Sequence, residues 1–316
     1  MKMAIQFAAG AAVVAIVAFL MRTPAERRIQ RDSWTVMGTV AGLAFRGDFP
    51  GHDATRTRVQ KIYERLDALL SAWDPDSELS RISRDGVSNW TERASAEVAE
   101  CYRTAFELAE RSRGAFNPLI GAKMRELGFS QGRHFADFDL GAIAKGFAVD
   151  VAWRDMMGEK PVPDALIDLG GNLRVVSGNW RTGVRNPFGE GYAATIVLTN
   201  GEAVATSGNY ERFVEKNGIR YSHILDGRTG EPVAGTAGVT VVAPSAMIAD
   251  GLSTTLFVLG PEKGARFLGK WHPGAQALWI PDTPESPCIL ATPEMAARLL
   301  EPACPVRIVR DNPPKM

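Results

Sequence analysis

The sequence predicts an α+β protein, in which a single unit of mixed sheets and helices follows an N-terminal hydrophobic helix. Alternating and helical apolar patterns both occur between residues 33 and 312, which indicates strands and helices in one chain. No internal repeat and no Pro- or Gly-rich linker divides this stretch, so it is expected to form one compact unit. Residues 3–21 carry no charge and predict the separate apolar helix.

Apolar spacing assigns the elements in chain order. Residues 34–45 alternate as a strand does, and residues 54–73 have helical spacing. Residues 95–113 predict an amphipathic helix with Ser95 as its N-cap and Gly114 as its C-terminal cap. Residues 165–176 predict a strand that Gly170-Gly171 interrupts, through a bulge or the close approach of another group. Further strands are expected at residues 193–198, 203–206 and 221–225.

The most informative segment is residues 239–260, VTVVAPSAMIADGLSTTLFVLG. VTVVAP predicts a buried strand, and the following residues predict a turn, a cap and an apolar helix. Asp250 and Thr254 lie four residues apart and therefore share one face of that helix. Their oxygens suit Mg²⁺, which binds one or two carboxylates and completes its coordination with water and phosphate. A solvated Asp beside a Thr that bonds back to its own helix is the alternative.

Composition excludes several classes of protein. The chain has 316 residues, 45% of them hydrophobic and 23% charged, and its 36 basic residues balance its 36 acidic ones. These values indicate a folded core and favour no polyanion, so nucleic acid is not an expected partner. The cysteines, Cys101, Cys288 and Cys304, stand in no zinc-binding spacing. Cys288 and Cys304 could pair in an oxidising compartment, although a free buried thiol is the favoured interpretation for each.

The N-terminal segment, residues 1–21, predicts an export signal or a membrane anchor. Its uncharged part, as a helix, nearly spans a hydrocarbon core of about 30 Å. A poor cleavage site favours an uncleaved anchor in the inner membrane, with the rest of the chain on the periplasmic side. The arginines after the span argue mildly against this orientation. Residues 22–32 are expected to be a polar linker, residues 33–312 the catalytic unit and residues 313–316 a tail.

Polar clusters interrupt the predicted unit where packing alone does not require them. Residues 73–80, WDPDSELS, predict a turn after the first helix. Asp139 precedes a helix start, whose unpaired backbone N–H groups can face a ligand, and Lys145 stands where a cation could meet a phosphate. His223 lies at a strand end, in YSHILDGRTG. Each cluster also has a plainer interpretation, as a solvated turn, a surface lysine or a structural histidine.

Eight stretches, taken together and in this order, resemble the FAD:protein FMN transferase (ApbE-like) family. They are MGT at residues 37–39, WDPDSELSRIS, AFNPLIGAKMRELGF, DLGAIAKGFAVD, ALIDLGGNLR, AVATSGNYERF, RYSHILDGRTGEPV and VTVVAPSAMIADGLSTTLF. The resemblance covers nearly the whole chain after the linker. It implies a flavin transferase domain over residues 33–312, in a protein that is exported or tethered to a membrane.

The resemblance implies chemistry on FAD as the substrate. A Thr or Ser hydroxyl of a target protein attacks the phosphorus next to riboflavin, which leaves FMN on that protein and releases AMP. By position, the implied Mg²⁺ ligands are the side chains of Asp250 and Thr254 and the backbone carbonyl of Ala142, and His223 accepts the proton of the attacking hydroxyl. Implied contacts to flavin and nucleotide fall on Met37, Trp73, Ala115, Phe116, Asn117, Asp139, Lys145 and Ile224.

Three positions depart from the family pattern. Trp73 replaces a common Tyr, and Asn117-Pro118-Leu119 replaces Asp-Pro-Thr. Gly227 replaces a proline, which is expected to loosen the turn that positions His223. Two alternatives stay open, an FAD pyrophosphatase of the same fold and a non-catalytic flavin-binding maturation protein. The implied acceptor is a subunit of a redox complex or an exported electron-transfer protein.

Overall fold

A nine-stranded sheet forms the centre of the fold, with helices on one face and a smaller sheet on the other. The computed structural model describes residues 29–85, 93–129, 136–158, 162, 164–211, 213–216, 219–283 and 288–311. The predicted N-terminal anchor at residues 1–21 and the tail at residues 313–316 therefore lie outside the described residues. Among the helices of the described residues, none combines the length and the apolar character that crossing a bilayer requires.

Fourteen strands form three sheets in the described part of the chain. They are β1 Ile29–Val36, β2 Thr39–Arg46, β3 Ala165–Leu169, β4 Asn172–Val175, β5 Trp180–Arg185, β6 Tyr192–Leu198, β7 Ala203–Gly208, β8 Phe213–Lys216, β9 Ile219–Ser222, β10 Thr236–Ala243, β11 Gln276–Pro281, β12 Ile289–Ala291, β13 Leu299–Leu300 and β14 Val306–Ile308. The large sheet has the order β1-β2-β3-β4-β7-β10-β11-β12-β14. Its neighbours are antiparallel except for β12 and β14, which run parallel. A three-stranded sheet, β13-β6-β5, and the hairpin β8-β9 complete the set.

Helices cover one face of the large sheet. Those in the described residues are α1 His52–Leu70, α2 Glu78–Arg84, α3 Ala96–Arg111, α4 Gly121–Glu126, α5 Ala144–Met156, α6 Ala246–Trp271 and α7 Pro293–Arg298. Large buried side chains from α1, α5 and α6, such as Tyr63, Phe147 and Phe257, pack into one core on this face. On the other face, the three-stranded sheet and α7 enclose a second core that includes Trp180 and Met295.

The first predicted strand is in fact a hairpin. Residues 34–45 were expected to be continuous, but β1 and β2 meet at a two-residue turn in which Val36 pairs with Thr39. Met37 and Gly38 fill this turn with φ angles of 50° and 67°, both in the left-handed region that two-residue hairpin loops require. This turn is difficult to predict from the sequence, because Met is not a usual turn residue. β1 also begins at Ile29, within the segment expected to be a linker.

Most of the other predicted elements are present. Ser95 caps α3 by accepting a hydrogen bond from Val98 N–H, and Gly114, at φ 82°, donates to Ala109 O as a helix-terminating glycine does. Gly170-Gly171 is the turn between the antiparallel strands β3 and β4. The expected strand over residues 221–225 ends early, at Ser222, since the following residues turn. Leu225 makes only an isolated bridge to Pro232.

The cysteines carry free thiols in the structure. Cys101 is buried, and Cys288 and Cys304 are half-buried. Burial raises the pKa of the Cys304 thiol, and the neighbouring Cys288 adds to this effect. Cys288 and Cys304 were expected to be free and buried; they are free but only half-buried.

The junction between α5 and α6 is held by one buried carboxylate. Asp150 of α5 accepts hydrogen bonds from Ser245 Oγ, Ala246 N–H and Met247 N–H at the start of α6. It also pairs with Arg174, and the two side chains are only 6% and 11% exposed. A carboxylate at a helix N-terminus satisfies unpaired N–H groups and complements the helix dipole. Asp150 therefore fixes where α6 begins relative to α5.

Replacing Asp150 by Ala is expected to lower the free energy of unfolding by about 3–5 kcal/mol, because it leaves the Arg174 charge buried without its partner. Urea denaturation measures this change. The matched control is Glu97→Gln, which breaks the more exposed ion pair with Arg65 and should cost less than about 1 kcal/mol. Equal losses in the two variants would contradict the role assigned to Asp150.

Candidate active site

Asp250 lies on the buried side of α6, one turn after the helix begins. Its residue is 6% exposed, and Oδ2 accepts a hydrogen bond from Gly146 N–H at 2.9 Å. Burial raises the pKa of Asp250, and nearby Asp150 adds to this, while the charge of Lys145 and the Gly146 hydrogen bond lower it. A bound cation would likewise favour the ionised form of this carboxyl group.

Gly146 allows the close approach of the two helices. A Cβ atom at this position would lie 2.2 Å from Ala246 O and 2.8 Å from Asp250 Cβ. Both separations are far below van der Waals contact, and backbone cannot move aside as a flexible side chain can. Only glycine therefore lets the start of α5 touch α6 beside Asp250.

Ala142 lies just before α5, whose N-cap is Ile143. Gly146 N–H belongs to the first turn of this helix, where backbone N–H groups have no partner within the helix, and Asp250 accepts it. Within the described residues, no backbone or side-chain donor pairs with Ala142 O. The Ala142 carbonyl and the Asp250 carboxylate are both hard oxygen donors.

Thr254 follows Asp250 by one turn and is half-buried. Its Oγ1 lies 3.2 Å from Ser207 Oγ on β7, which in turn lies 2.7 Å from Ser253 Oγ. Among the described residues, no three His, Cys, Asp or Glu side chains cluster as a metal site. A cation at Asp250 would accordingly bind one carboxylate and neutral oxygens of the protein, with water or phosphate oxygens in its remaining positions. This set of oxygen donors fits Mg²⁺.

The loop before α5 is ordered by Asp139 and Lys145. Asp139 Oδ1 accepts from Gly141 N–H at 2.7 Å, and Asp139 N–H donates to Pro118 O at 2.8 Å. Lys145 is half-buried, and its Nζ donates to Gly141 O at 3.0 Å. The positively charged Lys145 side chain is close enough to Asp250 to lower the pKa of that carboxyl group. Asp139 connects this loop to the segment around Asn117.

Asn117 joins this segment to the loop that contains Gly227. Its Nδ2 donates to Gly227 O at 3.1 Å, and Gly227 N–H donates to Ala115 O at 3.2 Å. A Cβ on Gly227 would lie 2.4 Å from both Asn117 Cβ and Gly114 O. Two hydrogen bonds thus connect this turn to residues 115–117, and the expectation that glycine loosens it stays a prediction.

His223 lies in a short turn after β9 and is half-buried. Ser222 Oγ accepts from Ile224 N–H at 3.1 Å across this residue, and Ile224 O accepts from Val233 N–H at 2.9 Å. Hydrogen bonds on both flanks therefore fix the backbone of His223. This turn belongs to the same loop that Asn117 contacts.

Three of the predicted flavin-contact residues have buried side chains. Ala115, Phe116 and Ile224 are only 1%, 3% and 5% exposed. Phe116 and Ile224 pack within the main hydrophobic core. Main-chain groups of all three are hydrogen-bonded within the protein, to Gly227, Ser112, Ser222 and Val233. Their predicted contacts with flavin therefore stay predictions.

Met37 and Trp73 lie at the C-terminal end of α1. Met37 N–H donates to Asp67 Oδ2 at 3.2 Å, which supports its left-handed conformation. Such strained non-glycine positions concentrate at functional sites. Trp73 is 41% exposed in the turn after α1, and its N–H donates to Ser71 Oγ. A large flat side chain with this exposure can stack on an aromatic ligand.

The contacts connect most of the predicted residues. One group, Asn117, Asp139, Lys145 and Asp250, is linked by hydrogen bonds through the loops before α4 and α5 and the start of α6, and Ala142 lies in the second of these loops. Met37 and Trp73 belong to a second group, at the end of α1. The helix that follows, α2, joins the two groups, because Ser83 Oγ accepts from Asp137 N–H at 2.8 Å.

Comparison with known proteins identifies the family of this chain. A family model described as ApbE matches residues 37–138 and 133–279. This chain belongs to the ApbE family. A protein of Treponema pallidum, named FAD:protein FMN transferase, is 31% identical over 301 residues, which cover 78% of this chain and 82% of that protein. One of Rhodobacter capsulatus with the same name is 31% identical over 268 residues, and those cover 72% of this chain but only 50% of that protein.

Solved structures of ApbE proteins have the same fold. The Thermotoga maritima ApbE protein superposes with a TM-score of 0.75 and 24% identity, over 87% of this chain and 100% of the other. Apo flavinyl transferase ApbE of Pseudomonas stutzeri gives 0.71 and 24%, over 88% and 98%. Both matches confirm the predicted α+β fold class.

Two polar residues of this ApbE chain were not singled out from the sequence, although both stand in stretches quoted for the resemblance. Ser207 contacts Thr254, as described above. Asp168 of β3 is 4% exposed and accepts from Gly171 N–H at 2.9 Å. Burial raises the pKa of Asp168 to about 7, against the opposing effect of the Gly171 hydrogen bond. The contact of Ser207 with α6 and the burial of Asp168 depend on the tertiary fold, which the local pattern of neither residue reveals.

Asp168 should make stability depend on pH. Because the folded-state pKa is raised from 3.8 to about 7, the folded protein keeps this proton while the unfolded chain has lost it. The stabilisation is complete below pH 3.8, declines by about 1.4 kcal/mol per pH unit as pH rises, and is lost above about 7. Asp168→Asn should remove this component. Denaturation of both proteins from pH 4 to 8 tests the prediction, and parallel stability curves would contradict it.

Proposed function

We infer that the protein is an FAD:protein FMN transferase, which moves the FMN part of FAD onto a target protein. The observation that carries this conclusion is the junction of α5 and α6, where the buried Asp250 accepts from Gly146 N–H, Lys145 acts electrostatically on Asp250, and the Ala142 carbonyl lies just before α5. It combines oxygen ligands for a cation with a positive charge for phosphate. The names of the curated relatives agree with this function.

The proposed reaction is a phosphoryl transfer. The hydroxyl oxygen of a Thr or Ser in the acceptor attacks the phosphorus next to riboflavin, and the bond from that phosphorus to the oxygen of AMP breaks. FMN is left as a phosphoester on the acceptor, AMP leaves with the bridging oxygen, and the hydroxyl proton passes to a base. Positioning and stabilisation of charge dominate such reactions.

Asp250, Thr254 and the Ala142 carbonyl are proposed to hold Mg²⁺. When bound, Mg²⁺ would neutralise charge on the diphosphate of FAD and on the leaving AMP. Asp250 supplies the single full negative charge, and its burial keeps competing water away. Lys145 adds a positive charge from the first turn of α5, where the helix N-terminus also favours an anion.

Contacts with the rest of FAD are assigned to two regions. Trp73 offers an exposed ring for stacking on the flavin or adenine, and Met37 lies close to the same end of α1. Asn117 and Asp139 order the loops that are proposed to approach the diphosphate, and the buried residues Ala115, Phe116 and Ile224 support these loops from within the fold. The site thus binds FAD largely through preordered loops, which lowers the entropic cost of binding.

His223 is the proposed general base. An imidazole has a suitable ordinary pKa for accepting a hydroxyl proton near neutral pH. Its backbone is fixed by Ser222 and by the pairing of Ile224 with Val233, so the ring is attached to an ordered turn. A positioned base of this kind contributes about 10² to 10⁴ in rate.

The proposed function is tested by mass spectrometry of a candidate acceptor protein incubated with FAD, Mg²⁺ and this enzyme. Covalent FMN on the acceptor and free AMP are expected. Asp250→Ala should abolish turnover, and Thr254→Val should have a milder effect. His223→Ala should still bind FAD but transfer FMN about 10² to 10⁴ times more slowly, with partial recovery at high pH.

The control is Asp53→Asn, which alters a fully exposed carboxylate on α1 and should leave transfer unchanged. AMP formed without any acceptor at the same rate would instead identify an FAD pyrophosphatase. Tight FAD binding without any turnover would identify a maturation protein. Loss of FAD binding in step with loss of rate would exclude His223 as the base.

The site is proposed to act outside the cytoplasm, on an exported electron-transfer protein or on a redox-complex subunit. The uncharged residues 3–21 motivate this proposal. The full-length protein is expected to fractionate with membranes and to resist extraction by high salt, whereas a chain beginning at Ile29 should be soluble and active. N-terminal sequencing provides the decisive measurement, since a mature chain starting near Glu26 would mean that the segment is a cleaved signal.

A further inference from the structure

Three hydroxyl groups between β7 and α6 form a chain of hydrogen bonds with only one consistent arrangement of protons. Ser253 Oγ donates to the carbonyl oxygen of Asp250 at 2.8 Å. A serine hydroxyl has one proton, so this bond uses the proton of Ser253. Ser207 Oγ, at 2.7 Å from Ser253 Oγ, must therefore be the donor in that pair.

The assignment of Ser207 fixes that of Thr254. Because the proton of Ser207 is directed at Ser253, Ser207 can only accept in its contact with Thr254 Oγ1 at 3.2 Å. Thr254 is then the donor, and its proton points towards β7. Both lone pairs of its oxygen are left for another partner.

We propose that Ser207 and Ser253 are positioning residues that hold the Thr254 proton on the strand side, so that its oxygen presents lone pairs to the cation at Asp250. This inference rests on the proposed function, because it concerns the cation site assigned there. A hydroxyl binds a cation through a lone pair while keeping its proton, which then needs an acceptor. Ser207 supplies that acceptor.

Burial makes the direction of this chain stable. Ser253 is fully buried and Ser207 is 9% exposed, so water does not readily exchange for either partner. A cation on Thr254 would make its O–H a stronger donor, and each bond in the chain would strengthen the next. The chain ends on the Asp250 carbonyl, so it begins and ends within one turn of the helix that carries both proposed ligands.

The strand offers a matched control. Thr206, next to Ser207, pairs its hydroxyl with Thr240 at 2.9 Å. Neighbouring residues of a strand point to opposite faces of the sheet. Thr206→Val therefore removes a comparable hydroxyl from the same strand without touching Thr254.

The test is calorimetric titration of Mg²⁺ into the FAD-loaded protein without acceptor. Ser207→Ala is expected to weaken Mg²⁺ binding by about 10- to 100-fold, the usual effect of removing a group that orients a metal ligand. Thr206→Val should bind Mg²⁺ as the wild type does. Ser253→Ala should also weaken Mg²⁺ binding, because Ser207 could then turn its proton towards Thr254. This effect is expected even though Ser253 does not contact the Thr254 hydroxyl through a bond of its own in the chain.

Kinetic measurements distinguish a role of Ser207 in orienting the Thr254 hydroxyl from a role in the stability of the fold. In Ser207→Ala, the Mg²⁺ concentration for half-maximal transfer should rise in parallel with the weaker binding, while the rate at saturating Mg²⁺ should stay near that of the wild type. Wild-type affinity in Ser207→Ala would overturn the inference and leave the proposed function intact. A lower melting temperature with equal loss of rate at all Mg²⁺ concentrations would also overturn it. Absence of Mg²⁺ binding in the wild type would overturn the cation site itself.

Discussion

The close contact of α5 with α6 is the constraint on which the rest of the site depends. Gly146 lets the two backbones touch, and Asp150 locks the start of α6 through three hydrogen bonds. Together they set both the distance between the helices and the position at which α6 begins. If the residues of α6 were shifted by one position relative to Asp150, the Asp250 side chain would be rotated by about 100° around the helix axis. It could then no longer accept a hydrogen bond from the Gly146 amide.

The two carboxylates of this junction have different tasks because their partners differ. Asp150 is paired with Arg174 and with the N-terminus of α6, so its charge is fully compensated within the protein. Asp250 has one amide partner, and its pKa is raised by burial. A carboxylate whose negative charge is balanced by protein groups stabilises the fold. One whose charge is only partly balanced attracts a cation or a proton. This contrast supports Asp250, and not Asp150, as the ligand.

Local patterns in the sequence predicted the elements that local forces determine. The strand and helix around Asp250 were predicted correctly, since apolar periodicity and the Ser245 cap act within a few residues. The turn at Met37 was missed because its support comes from Asp67, thirty residues away. Ala142 could be named only through the resemblance, since no local pattern marks the carbonyl of an alanine as a ligand. Ser207 was overlooked because its partner, Thr254, lies on a different element.

Two of the departures from the family pattern, at positions 117 and 227, lie in contact with each other. Asn117 has an amide N–H₂ that an Asp at this position would lack, and it uses that group to bind the Gly227 carbonyl. Gly227 in turn lacks the Cβ that would collide with Asn117 and with Gly114 O. An Asp at position 117 would place negative charge against that carbonyl, and a proline at position 227 would lose its N–H bond to Ala115. The hydrogen bonds of both residues thus hold the loop of His223 against residues 114–117.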